Sequence, residues 1–524
     1  MTKHSVRFLL IISVSLLVHE CMYGNNIQVT NVSLTSQNTT DHFTMVKFDI
    51  SWENSWRLVG GPANWDAAWV FVKYRIGAGP WKHAWLNNTG HIVPSGSAVD
   101  VGLLDPGSAY HAMTNPGLGV FIHRSGPGSG TFSLTNVQLR WNYGDNGLSD
   151  NEQVDIRVFA IEQVYVPQGS FYVGSGGGES GAFFKYDPGP ATDPYFINNE
   201  GSINVGMTTG YLYYYNPSGF SGDQTGPVPA AFPKGYKAFY AMKYEISQKG
   251  YVDFLNSLTR AQQISRVRSD ISTGVNLNNF VMSNDLVLIG RNGIRLISFF
   301  PFPPAPLVFF CDYNENGNQN ESGDGQDIAC NYLTIADVMA YLDWAGLRVM
   351  SELEFEKCGR GPVYPLPNEY AWGSNYFETV SDYLNPGFPN ELPDPPTANC
   401  NVVLTYPIRC GAFATLSSTR EKAGAGYYGC MELSGNVWER CVTVGSTYGR
   451  AYDGRHGDGV ISDLGDANVL NWPFSVTGYG SCFRGGSCNG STNLIRLSDR
   501  EYGANPDPVG YGWSGGRGVR TAPQ

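Results

Sequence analysis

The sequence predicts a mostly β protein: an N-terminal β-sandwich over residues 25–161, then an α+β domain with little regular secondary structure over residues 162–524. Three observations carry this. Residues 26–160 hold short alternating runs of β-branched and aromatic residues with no helical period. From "VYVPQGSFYVGS" (164–175) onward, long Gly- and Pro-rich connections separate a few amphipathic segments. The same boundary divides the cysteines: none lies between residues 22 and 310, and nine follow.

Composition agrees. At 524 residues the chain is long enough for two or more domains. Apolar residues make up 42%, enough for a sizeable core, and 64 Gly with 31 Pro predict a turn-rich chain with less helix than average. A net charge of −12 argues against nucleic acid and anionic membranes as partners and suits cations.

Taken in order, residues 1–24 read as a signal peptide. Lys3 and Arg7 flank an apolar run from Phe8 to Val18 that is too short to span a bilayer. Cleavage is expected between Cys21 and Asn25, and the bulky, charged "LVHEC" argues against a lipoprotein. The mature chain is expected to be secreted or at the cell surface, with no transmembrane segment; the apolar "ISFFPFPPAPLVFF" (297–310) is broken by prolines. Strands are expected at "IQVTNVSLTS", "VKFDISW", "AAWVFVKYRIG", "GTFSLTNVQLRW" and "VDIRVFAI", which together make the sandwich. Its tryptophans (Trp52, Trp56, Trp65, Trp69, Trp81, Trp85, Trp141) read as core residues or as a ligand face.

Three helices are expected later. "SQKGYVDFLNSL" (247–258) puts Tyr251, Phe254, Leu255 and Leu258 on one face. "TIADVMAYLDWAG" (334–346) and "SELEFEKC" (351–358) open with capping-box pairs, Thr334 with Asp337 and Ser351 with Glu354.

In an exported protein the nine cysteines read first as disulfides. Cys311 with Cys330 and Cys400 with Cys410 would close short loops, and nine being odd leaves a free thiol, assigned to Cys358. The stretch "CDYNENGNQNESGDGQD" (311–327) begins like a calcium loop. Asp312, Asn314 and Asn316 alternate before Gly317, Asn320 falls at the ninth position, and Asp324 lies beside the place of the missing twelfth-position acid. Two readings stand: a calcium site on Asp312, Asn314, Asn316, Asn320 and Asp324, or an acidic turn clasped by Cys311 and Cys330. "GWSGG" (512–516) fits a nucleophile elbow but lacks the strand-to-helix setting and reads as a turn.

Six stretches appear in a telling order: "VYVPQGSFYVGS", "AMKYEISQKGYVDFLN", "YLTIADVMAYLDWAGLRVMSELEFEKCGRG", "MELSGNVWER", "FRGGSCNGSTNLIRLSDR" and "GGRGVR". Together they resemble the formylglycine-generating enzyme (sulfatase-modifying factor) family across most of residues 164–521, and not across 26–160. The resemblance implies a variant of the C-type lectin fold. It also implies a copper-dependent oxidase whose catalytic cysteines would fall at positions 490 and 495, but Gly490 and Ile495 stand there. Cys488 directly follows Ser487, where non-catalytic relatives carry Trp, and Cys482 lies six positions upstream. The non-haem iron chemistry of the superfamily needs histidines; after His123 the only one is His456. The family's calcium site maps onto Glu432, Gly435, Val437 and Glu439, with a plain core turn as the other reading.

The expected function is that of a secreted or cell-surface binding protein, calcium-braced and non-catalytic. Its partner would be an extracellular protein, peptide or glycan, met by Asn489, Ser491, Thr492, Asn493, Tyr502 and Tyr511, while Arg496 and Arg500 pair with acids to brace the fold. Two alternatives stand. One is a copper-dependent formylglycine-generating oxidase with Cys482 and Cys488 as a displaced pair. The other is a structural subunit of an extracellular assembly.

Overall fold

The computed structural model describes residues 26–105, 116–189, 192–215, 219–272, 279–297, 304–319, 321–415 and 417–523. The expected signal peptide, Asn320 and residues 298–303 of the proline-broken segment lie outside them. Among the described residues strand dominates, and no helix is long and apolar enough to cross a membrane.

All five expected strand runs form strands: Gln28–Asn38, Phe43–Arg57, Asp66–Ile76, Gly128–Trp141 and Val154–Val166. Ser97–Leu103 and Gly117–Arg124 add two more. Gln28–Asn38, Phe43–Arg57 and Gly128–Trp141 pair as a three-stranded sheet. A second sheet of eight strands runs in the order Arg348–Val349, Gly518–Thr521, Phe239–Met242, Val154–Val166, Asp66–Ile76, Gly117–Arg124, Ser97–Leu103, with Lys82–His83 on the side of Asp66–Ile76.

This second sheet crosses the expected boundary at residue 161. Val154–Val166 pairs with Asp66–Ile76 along Val154–Val164, and its last residues, Gln163–Val166, pair on their other edge with Phe239–Met242. Both regions therefore share one strand.

Asp66–Ile76 shows why the strand at the centre is apolar on both sides. Ala68, Val70, Val72 and Tyr74 face the three-stranded sheet, packing with Val46, Phe48, Val137 and Trp141. Ala67, Trp69 and Phe71 face the other way, into the cluster holding Tyr251, Phe254 and Trp344. Strict alternation puts successive side chains on opposite faces, so a strand covered on both reads as a continuous apolar run. Lys73 breaks that run, and its amine donates to the Trp344 and Gly459 carbonyls at 2.8 and 2.6 Å. Trp52, Trp69 and Trp141 are fully buried. Trp81 instead stacks between the guanidinium groups of Arg75 and Arg157, 4.7 and 4.4 Å from its ring centre.

The three expected helices form as Gln248–Leu255, Ile335–Trp344 and Glu352–Arg360. Thr334 with Asp337 and Ser351 with Glu354 close both expected capping boxes, each supplying partners to otherwise unbonded first-turn N–H groups. Arg260–Ile264 carries a third box, Thr259 with Gln262.

Glu352–Arg360 is buried on every side, charged residues included. Each of those charges has a partner. Glu352 meets Arg500 at 2.6 Å and Arg484 at 3.0 Å, Glu354 meets Arg348 at 2.6 Å, and Glu356 meets Arg360 at 2.8 Å and Arg484 at 2.9 Å. Lys357 donates to the Pro167 carbonyl at 2.8 Å. Arg500 thus braces the fold through an acid, as expected from the sequence.

Removing one member of such a set leaves its partners charged and buried, which costs about 3–5 kcal/mol. Glu352→Gln is expected to lose stability on that scale in guanidinium unfolding. Glu152→Gln, at an exposed site, is expected to change it by under about 0.5 kcal/mol.

Candidate functional site

The C-terminal motif is held against the neighbouring stretch 435–442. Ser481–Arg484 pairs antiparallel with Trp438–Val442, which carries the "GNVWER" stretch. The following turn bonds back to the same stretch: Gly435 N donates to Gly485 O at 2.8 Å, and Cys488 N to Asn436 O at 2.7 Å. Gly486 has φ +68°, and a Cβ there would lie 2.4 Å from Ile495 Cγ2, so the turn demands glycine. Beyond it the chain emerges, leaving Asn489, Gly490, Ser491 and Asn493 exposed.

Here an open cleft of about 360 Å³ forms between 491–502 and the Gly-rich turn 178–180. Ser491, Asn493 and Tyr502 of the expected contact surface line it. Asn489 is exposed just before them in the chain, and Thr492 is half-buried with its carbonyl accepting from the Tyr370 hydroxyl at 3.5 Å. Tyr511 does not line the cleft: its hydroxyl donates to Asp507 at 2.8 Å and its ring stacks on Trp513. Glu179, Asp499, Glu501 and Arg496 complete the polar lining. The three acids were missed in the sequence, although "GGGESG" places Glu179 in a Gly-rich turn right after the opening strand. Arg496, expected to pair with an acid, donates instead to Asn368 Oδ1 at 3.1 Å.

Burial pushes the Glu179 carboxyl up, and the same cause raises Asp499 to about 6, against hydrogen bonds from the Glu501 and Ser180 N–H groups. Neither histidine, lysine nor cysteine lines the cleft. The arrangement is suited to hydrogen bonding and charge recognition. A larger cavity of about 1030 Å³ lies elsewhere, against Trp81, Arg157 and Trp344, and includes no residue of the C-terminal motif.

Cys482 and Cys488 do not meet around a common point. Cys482 sits directly across from Cys441 in the strand pair and feels Glu352, Arg484 and Arg500. Cys488 feels Glu245 and Arg291 instead. Both are fully buried, and burial drives both thiols upward. All nine cysteines among the described residues are buried and free. The expected Cys311–Cys330 and Cys400–Cys410 bridges are not formed, and Cys358 is one free thiol among nine. Its neighbour is Cys430.

The turn at 312–324 closes on itself. Asp312 accepts from Gly317 N at 3.1 Å and pairs with Arg295 at 2.5 Å. Asn314 and Asn316 accept from Asn316 N and Asn318 N, while their amide groups donate to Asp324 and Glu321. The side-chain oxygens are thus engaged by protein donors; Asn320 lies outside the described residues. In the second expected set, Arg517 meets both carboxylate oxygens of Glu439 at 2.7 Å. Glu432 accepts from Gly411 N at 2.8 Å, and Val437 N donates to Glu245 at 3.1 Å. With a guanidinium on Glu439, that set does not fit a calcium ion. Among the described residues no group of three acids, histidines or cysteines is arranged to hold a metal. His456 is spent on Asp105 at 2.8 Å and on Thr521 N at 3.0 Å.

A strand-rich scaffold with an irregular, Gly-rich C-terminal motif and a polar cleft defines the class. The model of the sulfatase-modifying factor enzyme 1-like domain matches residues 157–521, and the chain belongs to that family. Hercynine oxygenase of Mycolicibacterium smegmatis is 28% identical over 140 residues, 26% of this chain and 27% of the relative; the chain thus spans about a quarter of that relative's length. Treponema denticola variable protein 1, a solved structure, matches with a TM-score of 0.27 and 10% identity over 69% of this chain and 96% of its own, too loosely to support an argument.

Two outcomes are expected here. Maleimide should leave Cys482 and Cys488 unlabelled in the native protein and label both after unfolding without reductant, read by peptide mass. Asp499 holds its proton in the folded state up to about pH 6, against 3.8 as its ordinary value. Its contribution is complete below about pH 4 and is lost as pH rises through about 6. Wild type should therefore lose stability relative to Asp499→Asn across that window and run parallel above it.

Proposed function

We propose that this chain is an exported interaction protein that uses the sulfatase-modifying factor scaffold to bind, not to oxidise. The observation that carries the reading is the cleft at the C-terminal motif. The family's redox positions hold Gly490 and Ile495, and the surface beside them offers carboxylates, amides, a guanidinium and a tyrosine. Such a lining hydrogen-bonds hydroxyl- and amine-bearing ligands, which points to a glycan or a peptide as partner. Export is supported by the basic flank and apolar run of residues 3–18. Bracing comes from ion pairs around Glu352–Arg360, the contribution of calcium being limited by the engaged oxygens at 312–324.

The oxidase alternative requires Cys482 and Cys488 to meet as thiolates, and their separate surroundings weigh against it. The test uses the full mature chain on glycan and peptide arrays beside Asn493→Arg, which places a bulky cation at the exposed mouth. Selective capture by wild type, weakened at least tenfold in the variant, is expected. Equal capture by both would sink the cleft as the binding surface. Conversion of a cysteine-containing sulfatase-motif peptide by the copper-loaded protein would overturn the binding reading.

A further inference from the structure

We infer that Arg517 is a built-in cation that takes the place of a metal ion in the core beneath the "GNVWER" turn. The guanidinium is fully buried, makes four hydrogen bonds and forms a further ion-pair contact with Glu439. Nε and one terminal nitrogen meet the two oxygens of Glu439 at 2.7 Å each. That same nitrogen donates to Met431 O at 2.6 Å, next to Glu432. The other donates to Met242 O and Lys243 O at 3.2 Å.

This is a cation held by a carboxylate and a ring of backbone carbonyls, a donor set of the kind a hard divalent ion takes. Two further carboxyl groups, Glu245 and Glu432, lie near it; burial pushes both up, Glu432 to about 7, with Arg517 acting against that rise. Glu432 keeps one oxygen, Oε2, without a hydrogen-bond partner. The pocket therefore gathers three buried carboxyl groups, and Arg517 is the internal cation paired with Glu439. A buried carboxylate needs a paired cation, and a tethered one is always present, whatever the ion concentration outside.

The chain is shaped to deliver it. Arg517 lies between Gly516 and Gly518. A Cβ at Gly518 would lie 2.2 Å from Leu342 Cδ2, and one at Gly516 would lie 2.9 Å from Val338 Cγ2. The backbone thus presses against the helix Ile335–Trp344 on either side of the arginine. One charge replaces two, which suits the site: Glu439 is neutralised directly, while Glu245 is satisfied by Asn436 Nδ2 at 2.5 Å and Val437 N at 3.1 Å.

The test is calcium uptake by the full mature chain, measured by calorimetric titration after chelation. Arg517→Ala is expected to gain one calcium per chain relative to wild type, and adding Glu439→Gln is expected to abolish the gain. A folded Arg517→Ala that takes up no more calcium than wild type would overturn the inference. If Arg517→Ala does not fold in chelator, refolding in millimolar calcium is expected to recover its native circular dichroism; failure of calcium to rescue it would equally overturn the inference.

Discussion

The fold depends on burying the helix Glu352–Arg360 with its charges intact. A helix that places Glu352, Glu354, Glu356, Lys357 and Arg360 in the interior would be untenable alone. Its partners come from far along the chain: Arg484 and Arg500 arrive from the C-terminal motif and Glu369 from beyond the helix end. Buried ion pairs contribute little net stability against apolar replacements, but each is costly to break. The consequence is specificity: the C-terminal motif has one docking position, because any other leaves carboxylates unpaired. The cleft inherits its shape from this, since Asp499, Glu501 and Tyr502 flank or follow Arg500 directly.

What the sequence showed was local. The capping pairs Thr334–Asp337 and Ser351–Glu354 were legible because their chemistry spans three residues. The five strand runs were legible because alternation is read within one strand. The exposure of Ser491 and Asn493 was legible from their polar stretch. What escaped was long-range. That Glu352–Arg360 is buried with its charges shows only once its distant arginines are placed. Arg517 lies 78 residues from Glu439, with nothing in "GGRGVR" to point to it. At Glu432–Glu439 the residue types match the family's calcium set, and nothing local shows that Arg517 lies against Glu439. The cysteines misled for a related reason: loop length suggested Cys311–Cys330 and Cys400–Cys410, whereas the fold sets Cys358 beside Cys430 and Cys441 across from Cys482.

The strand Val154–Val166 made the boundary hard to see. Texture changes there in the sequence, because turn-rich chain follows. Hydrogen bonding does not change, because the strand carries Asp66–Ile76 on one edge and Phe239–Met242 on the other. Lys243, just past the second of these, pairs with Glu162 at 2.9 Å and lies 3.4 Å from Asp66. Asp66 in turn accepts from Trp52, Ser55 and Trp56, at 2.9, 2.8 and 2.9 Å. A charge cluster therefore sits where the regions join, and it ties both sheets to the later chain.

That shared strand also sets an order of assembly during synthesis. Val154–Val166 emerges with Asp66–Ile76 already available, so one of its edges closes at once. The other edge stays open until Phe239–Met242 is made, and the sheet is complete only when Gly518–Thr521 adds beside that strand. For most of translation the nascent chain thus carries an unpaired apolar strand edge, the kind of surface that invites pairing with another chain. The early region serves as a template on which the later one is laid, and its strand edge is what a chaperone following this chain would need to shield.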